Sequence, residues 1–339
     1  MIVIMQQGAS VAQVDHVIER IGQLGLTPHV SRGQFRTIIG AVGDKQPTYQ
    51  HILESLEGVE RVVPIMKPFK LASREFHAES SVVQVKGVPI GGPHVAIMAG
   101  PCAIESLEMF RRIGRQVKER GAVILRGGAF KPRTSPYDFQ GMGEDGLKIM
   151  REVGDELGLP IVSEVMAAQE VELVGRYVDM FQVGARNMQN FYLLKEVGDA
   201  GRPVLLKRGP ASSIHEFLMS AEYILARGNR NVVLCERGIK TFETETRFTL
   251  DVSCVPVIKK NSHLPIIVDP SHAAGQRAYV SALALAGIAA GADGIIVEVH
   301  DRPEEALCDG PQALLPDMFA ELMGQIRAIA AALGRTMAE

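Results

Sequence analysis

The chain has 339 residues, a formal net charge of −3, no Trp and 5% aromatic residues. That length buries a large core, in one barrel with an addition or in more than one domain. The charge points away from nucleic acid and membrane surfaces, and the few aromatics give no stacking platform for single strands. Four cysteines without an exported leader at the N-terminus read as cytoplasmic thiols or metal ligands, not as a disulfide framework. The longest apolar-rich stretch, residues 280–292, is too short to span a bilayer.

The first seventy residues differ in pattern from the rest. Residues 2–5 form a strand candidate, and Ser10 caps a helix with Val11, Val14, Val17, Ile18, Ile21 and Leu24 on its apolar face. Residues 28–31 and 35–42 read as strands joined at Arg32-Gly33, residues 49–56 as a second helix, and residues 59–65 as a closing strand. The order βαββαβ predicts a small ferredoxin-like α+β domain over 1–70. Such modules bind small effectors or pair sheets between subunits. Residues 71–93 follow as linker and hairpin, with the linker at 73–78 and the hairpin around Lys86-Gly87.

Beyond the hairpin, strand, loop and helix alternate. Apolar runs at 95–99, 122–125, 160–163, 179–183, 203–206, 231–234, 265–268 and 294–297 read as buried parallel strands. Helical patterns separate them, among them 167–176 and 250–259, and a last helix covers 316–333. Eight such units in 94–339 fit the roughly 250 residues of a (β/α)8 TIM barrel. An open doubly wound α/β sheet is the competing fold, but no GxGxxG follows the first strand.

The second of these units has an unusually long strand-to-helix loop, Arg126 to Gly141, and loops of that length tend to be functional. Arg126, Lys131 and Arg133 sit beside Gly127 and Gly128, which let backbone amides approach a ligand closely. Thr134 and Ser135 add hydroxyls, while Pro132 and Pro136 fix φ and reduce the entropy lost on ordering. This is the chemistry of a phosphate site. The bland alternative is a solvated basic loop.

Barrel enzymes gather their active sites where the strands end at the C-terminal face. The polar residues there are Cys102 after strand one, Arg126 and Lys131 after two, Glu164 after three and Arg186 after four. Lys207 follows strand five, Arg237 six, Asp269 and His272 seven, and Glu298 eight, with Asp309 in the loop beyond. The metal-competent Cys102, His272, Glu298 and Asp309 fall on strands one, seven and eight, which are neighbours once a barrel closes. Taken singly, each has a structural reading: a buried thiol, a helix cap, or a partner for an interior cation. A thiolate, an imidazole and two carboxylates suit Mn²⁺, Fe²⁺, Zn²⁺ or Co²⁺ and are too soft a set for a dedicated Mg²⁺ site. Five cations at strand ends, without equal carboxylates nearby, imply anionic ligands, enough for two phosphorylated substrates. Asp269 either assists catalysis or orients a cation. Cys235 and Cys254 read as strand and helix core, while Cys308 lies near the metal set and near Cys102.

In chain order these residues compose Ala99-Gly-Pro-Cys102, Arg126-Gly-Gly, Lys131-Pro-Arg-Thr-Ser-Pro136, Gly184-Ala-Arg-Asn187, Leu206-Lys-Arg-Gly209, Asp269-Pro-Ser-His272 and Glu298-Val-His300. The combination resembles the 3-deoxy-D-arabino-heptulosonate 7-phosphate (DAHP) synthase family, in particular its type Iβ members with an N-terminal ferredoxin-like domain. The likeness covers essentially the whole chain, with no departure at these positions. It implies condensation of phosphoenolpyruvate with erythrose 4-phosphate, the first step of the shikimate pathway. It also implies a divalent metal ion on Cys102, His272, Glu298 and Asp309.

By the same resemblance, Arg126, Lys131, Arg186, Lys207 and Arg237 hold phosphoenolpyruvate, assisted by the Gly184-Ala185 backbone. Lys131, Pro132, Arg133, Thr134 and Ser135 receive erythrose 4-phosphate. Lys131 is placed to donate a proton to the new alkoxide, and Glu164 or His272 to steer the water. An aromatic amino acid, Phe or Tyr, is the implied inhibitor, acting through the N-terminal domain, and a homotetramer is the implied assembly. The competing readings are 3-deoxy-octulosonate 8-phosphate synthase, which uses arabinose 5-phosphate, and a non-catalytic regulator that binds phosphometabolites.

Overall fold

The computed structural model describes residues 1–33, 36–43, 48–63, 69–132 and 135–339. Two compact units emerge, Met1–Glu79 with Asn261–His263, and Ser80–Lys260 with Leu264–Glu339. No helix among the described residues is long and apolar enough to cross a membrane.

The first unit is a four-stranded antiparallel sheet with two helices. Its elements are β1 (Ile2–Met5), α1 (Val11–Gln23), β2 (Thr27–Arg32), β3 (Thr37–Val42), α2 (Thr48–Glu54) and β4 (Val59–Val63), with strand order β2-β3-β1-β4. This is the ferredoxin-like order predicted from the pattern. Ser10 begins α1 with a capping box: its Oγ accepts from Gln13 N at 3.2 Å, and Gln13 Oε1 accepts from Ser10 N at 2.9 Å. The helix lays Val14, Val17 and Ile21 on Val3, Met5, Ile39 and Ala41, each burial removing apolar surface from water. Phe35 and Ile65, expected at strand ends, lie outside the described residues. The segment expected to be a linker folds instead as consecutive turns of this unit. Leu71, Ala72 and Phe76 are buried, Ser73 bridges Ser262, and the Phe76 ring lies over Gly40, where a Cβ would come within 2.7 Å of it.

The second unit opens with a hairpin, β5 (Val83–Val85) and β6 (Val88–Ile90), and continues as a closed parallel barrel. The barrel strands are β7 (His94–Gly100), β8 (Ile124–Arg126), β9 (Ile161–Glu164), β10 (Met180–Val183), β11 (Val204–Lys207), β12 (Val232–Glu236), β13 (Ile266–Val268) and β14 (Gly294–Glu298). Each pairs with the next, and β14 returns to β7 in a register from Gly294↔Ala96 to Glu298↔Gly100. Ala96, Met98, Ile124, Val162, Met180 and Leu205 fill the interior, and Val83, Val85, Val88 and Ile90 of the hairpin join the same apolar cluster. The interior is therefore a packed core, and ligands are left the strand ends.

The connecting helices are α3 (Leu107–Glu119), α4 (Gly143–Leu157), α5 (Val171–Gly175), α6 (Phe191–Asp199), α7 (Ile214–Leu225), α8 (Cys254–Asn261), α9 (Pro270–Ala274) and α10 (Arg277–Ala289). Helix α11 (Pro316–Ala332) and a short strand β15 (Thr336–Met337) on β7 complete the unit. Three of these helices depart from expectation. The helix expected over 167–176 is a 3₁₀ turn, Ala168–Glu170, followed by the single turn of α5. The one expected from residue 250 begins at Cys254, because Asp251 Oδ1 accepts from Cys254 N and Ser253 Oγ and so ends the preceding loop. Helix α9 was not anticipated, although Asp269 as cap and Pro270 in the first turn announce it.

Asp293, 2% exposed, ties the barrel at the start of β14. It accepts from Ile266 N at 2.9 Å, Lys259 Nζ at 2.7 Å and Arg335 Nη2 at 2.8 Å, joining β13, α8 and the C-terminal segment. Asp293→Ala leaves those donors without their shared acceptor and should cost about 3 kcal/mol, discounted for the partial exposure of Lys259. Denaturant unfolding checks this; an unchanged midpoint would show that the carboxylate does not tie the strands.

Candidate active site

The strand ends of the second unit surround a cavity of about 340 Å³. Among the described residues its wall carries six cations, Arg126, Lys131, Arg186, Lys207, Arg237 and Arg247, against Asp138, Glu164, His272, Cys308 and Asp309. Cys102, Asp269 and Glu298 stand directly behind this wall and bond to residues in it. The residues predicted from the strand ends are thus gathered in one place by barrel closure.

Two overlapping groups of metal-competent atoms share Asp309: Cys102 with Cys308, and His272 with Glu298, the atoms of each group lying within 4.8 Å of one another. Cys102 Sγ is 3.3 Å from Asp309 Oδ2, and His272 Nε2 is 3.4 Å from Glu298 Oε1. Asp309 itself stands in the left-handed region at φ 52°, a conformation that Asp tolerates better than most residues. A thiol, an imidazole and two carboxylates converging in a buried corner fit a borderline divalent ion by their donor chemistry. Cys308 joins the corner as well, 3.2 Å from Cys102 Sγ. A third grouping, Glu236 with Asp251 and Cys254, does not fit an ion: Arg208 already bonds both carboxylates, at 2.9 and 2.8 Å.

The charges of this corner hold one another. Burial opposes ionisation of Glu298, but His272 and Arg126 outweigh it and keep the carboxyl below its usual range. Asp309 is likewise lowered against burial, by His272 and Lys131. Lys131 donates to Cys102 O at 3.2 Å and to Cys102 Sγ at 2.9 Å. Burial works against its ammonium, yet Cys102, Cys308 and Glu298 raise it above the ordinary lysine value, so it stays protonated.

Asp269 caps α9 through Oδ1, which accepts from His272 N at 3.0 Å. Its Oδ2 accepts from Lys207 Nζ at 2.5 Å and lies 2.7 Å from His272 Nδ1. Burial penalises this carboxylate, but His272 and Lys207 hold it well below the usual range. One side chain therefore aims a metal-competent imidazole and a cation together, the pattern of an orienting second partner.

The sequence-based premise that the strand-end cations lack carboxylates needs correction. Arg126 donates to Glu298 Oε1 at 2.9 Å and to Pro101 O at 3.0 Å, and Lys207 is paired with Asp269. Barrel closure brings residues 172 and 62 positions apart into these pairs, which sequence distance hides. Arg186, exposed, donates to the Pro132 carbonyl at 2.9 Å, while Arg237 is buried against Phe248 at 4.4 Å from the ring centroid.

Glu164 faces the cavity and accepts from Gln182 Nε2 at 2.9 Å. A Cβ on Gly184 would lie 2.1 Å from Glu164 Oε1, so only glycine lets the carboxylate reach this position. Ala185 follows in a 3₁₀ turn and lines the cavity. Pro132 also lines it, whereas Ser135 does not and instead accepts from Tyr137 N. Arg133 and Thr134 lie outside the described residues. Gln182, Phe248 and Arg247 line the cavity without having been predicted. For Arg247 the signal was the long loop between β12 and α8, the same clue that marked the loop after β8.

Comparison with known proteins agrees with this geometry. The DAHP synthetase I family matches residues 66–332, and the DAHP synthase ferredoxin-like domain matches residues 1–67. The chain is 49% identical over 334 residues to the phospho-2-dehydro-3-deoxyheptonate aldolase of Thermotoga maritima, covering 98% of this chain and 99% of that protein. A crystal structure of that DAHP synthase from T. maritima superposes with a TM-score of 0.79 at 48% identity, covering 99% of this chain and 98% of that one. A truncated form of the T. maritima enzyme superposes at 0.75, covering 79% of this chain and 99% of that one. The 2-dehydro-3-deoxyphosphooctonate aldolase of Geobacter sulfurreducens is more distant, at 31% identity over 266 residues, 73% of this chain and 97% of that protein. With a family match over most of its length and a relative nearly half identical from end to end, the chain belongs to the DAHP synthase family.

Proposed function

We infer that this chain condenses phosphoenolpyruvate with erythrose 4-phosphate and water to give DAHP and phosphate. The observation that carries the reading is one cavity whose wall sets six cations beside a thiol, imidazole and carboxylate corner. Two phosphorylated substrates need such an excess of positive charge to approach one another.

In the proposed reaction Arg126, Lys131, Arg186, Lys207 and Arg237, with the Ala185 backbone, hold phosphoenolpyruvate. Lys131 to Ser135 receive the aldose. C3 of the enol ester attacks the aldehyde carbon, and the aldehyde oxygen gains negative charge. Lys131, kept protonated in the buried corner, hands its proton to that oxygen. C2 becomes cationic and takes a water oriented by Glu164, which Gln182 holds in place. The tetrahedral centre then loses phosphate by C–O cleavage. Asp269 fixes Lys207 and His272 throughout, so neither reorients as charge moves. A divalent ion on Cys102, His272, Glu298 and Asp309, of the class Mn²⁺, Fe²⁺, Zn²⁺ or Co²⁺, supplies Lewis-acid stabilisation when bound.

The first unit takes no part in these steps, since every proposed catalytic group lies beyond Gly100. We assign it to regulation by Phe or Tyr in a cytoplasmic homotetramer, a reading supported by its match to the DAHP synthase ferredoxin-like domain.

Phosphate release should follow addition of erythrose 4-phosphate and not arabinose 5-phosphate. It should stop on chelation, and return with a divalent ion. Full turnover by a demonstrably metal-free preparation would overturn the ligand assignment, and equal turnover of both aldoses the substrate assignment.

The 3.2 Å approach of Cys102 and Cys308 adds a second outcome. Chelated protein in air should lose two hydrogens, two protons and two electrons taken up by dioxygen, as these sulfurs join in a disulfide, detectable by non-reducing peptide mass spectrometry. Cys308→Ser should resist that inactivation; a variant inactivated as fast as the parent would dispose of the idea.

A chain beginning at Ser80, where the second unit starts, should remain active and lose inhibition by aromatic amino acids. Coupling of the usual size weakens apparent substrate affinity about fivefold to 150-fold in the full chain. Inhibition that survives the truncation would place the effector site on the barrel.

A further inference from the structure

Among the described residues, Arg247 is the one cation lining the cavity that the reaction above leaves without a role. Its backbone is fixed: Arg247 N bonds Ala274 O at 3.0 Å and Phe248 N bonds Ala273 O at 2.8 Å. The loop after β12 thereby runs along α9, the helix that carries His272. Gly275, in the left-handed region at φ 70°, permits this approach, since a Cβ there would lie 2.6 Å from Arg247 Cβ. The position of Arg247 is built into the fold and is not an accident of a loose loop.

The side chain, by contrast, is uncommitted. It is 42% exposed, and its polar contacts are long, 3.6 Å to Asp309 Oδ1 and 3.5 Å to Gln312 Oε1. Two other arginines at the strand ends are held more firmly: Arg126 bonds Glu298 at 2.9 Å, and Arg208 bonds its two carboxylates at 2.9 and 2.8 Å. A second cavity of about 300 Å³, lined by Thr244, Glu245 and Gln276, also borders Arg247. Open volume on both sides gives the guanidinium room to turn.

Its neighbour is another arginine. Phe248 holds the Arg237 guanidinium at 4.4 Å from its ring centroid and that of Arg247 at 5.9 Å. Among the described residues no carboxylate lies within 4.0 Å of Arg237, which is buried. Burial pushes the Arg237 guanidinium below its ordinary value, Asp269 opposes that, and Arg247 adds to it. Two like charges are thus held on one apolar ring, and an anion between them relieves both the repulsion and the desolvation. A phosphate group matches two guanidinium forks in charge and geometry.

We propose that Arg247 is a substrate-binding residue, closing with Arg237 on the phosphoryl group of phosphoenolpyruvate and on the inorganic phosphate released from it. This rests on the reaction inferred above, and extends it to a residue on the loop after β12. Arg247 acts as the movable arm and Arg237 as the fixed one.

The test uses the full-length, metal-loaded protein, with inorganic phosphate as the calorimetric probe and steady-state kinetics beside it. Arg247→Ala should weaken phosphate binding and raise KM for phosphoenolpyruvate about tenfold to a hundredfold, the loss of one charge-assisted bond. KM for erythrose 4-phosphate should change less than twofold, and Arg247→Lys should recover part of the loss. Arg247→Gln, isosteric in its stem, serves if the alanine variant unfolds. Unchanged affinity for phosphate and phosphoenolpyruvate overturns the proposal, as does a shift confined to erythrose 4-phosphate. If the parent chain bound phosphate through Arg247 yet turned over neither aldose, the clamp would stand and the assigned reaction would fall.

Discussion

The mouth of the barrel depends on two carboxylates that have been taken out of water. Asp269 and Glu298 are each 1% exposed, and a lone carboxylate so placed would cost several kcal/mol. Each is answered by a cation and by the same imidazole: Asp269 by Lys207 and His272, Glu298 by Arg126 and His272. The ends of β8, β11 and β14 and the start of α9 are joined across the barrel by these charges. Apolar side chains of similar volume would stabilise the fold as well, so stability alone gives little reason for the network. A need to hold a lysine, an arginine and a histidine in fixed directions gives a better one.

Beside Lys131, which bonds Cys102, the network sorts the other five cations of the cavity into two classes. Arg126 and Lys207 are paired at 2.9 and 2.5 Å, and a ligand meets them as rigid donors whose charge is partly balanced. Among the described residues Arg186 bonds a carbonyl, at 2.9 Å, Arg237 leans on Phe248, and Arg247 reaches Asp309 at 3.6 Å. These three bring the unbalanced charge that draws a dianion in. Fixed dipoles that aim without reorganising, beside free charges that attract, suit a reaction in which one phosphate must stay and another must leave.

How much of this was legible follows from the physics of each feature. The barrel was legible because buried parallel strands leave uninterrupted apolar runs, such as Ile295 to Val297, at a regular spacing. The gathering of the strand-end residues was legible because strand ends are fixed once the strands are, and Cys102, Glu164 and Glu298 all stand at the barrel mouth. The pairing of Arg126 with Glu298 was not, because that contact exists only when the eighth strand returns to the first. Arg247 was missed because the Thr-Phe-Glu-Thr-Glu-Thr run before it looks like a solvated loop. The turns of Ser73 to Ala78 were missed because Arg74, Glu75 and His77 give the segment a polar pattern that masks the burial of Phe76.

Asp309 shows how the chain meets the local cost of such a site. A non-glycine residue at φ 52° costs on the order of 1–3 kcal/mol and persists only where its surroundings over-determine it. Gln312 N bonds Asp309 O at 3.1 Å, and Arg277 at the start of α10 bonds Ala313 O at 2.5 Å and Gly310 O at 3.3 Å. The loop after β14 is thus tied down directly beyond the strained residue. Gln312 further donates to Glu298 Oε2 at 2.7 Å, linking that loop to the buried carboxylate of the strand before it. The result is a carboxylate shared by Cys102 on one side and His272 on the other, which a relaxed extended backbone at 309 would turn elsewhere. Strain at one residue is what lets strands one, seven and eight contribute to a single corner.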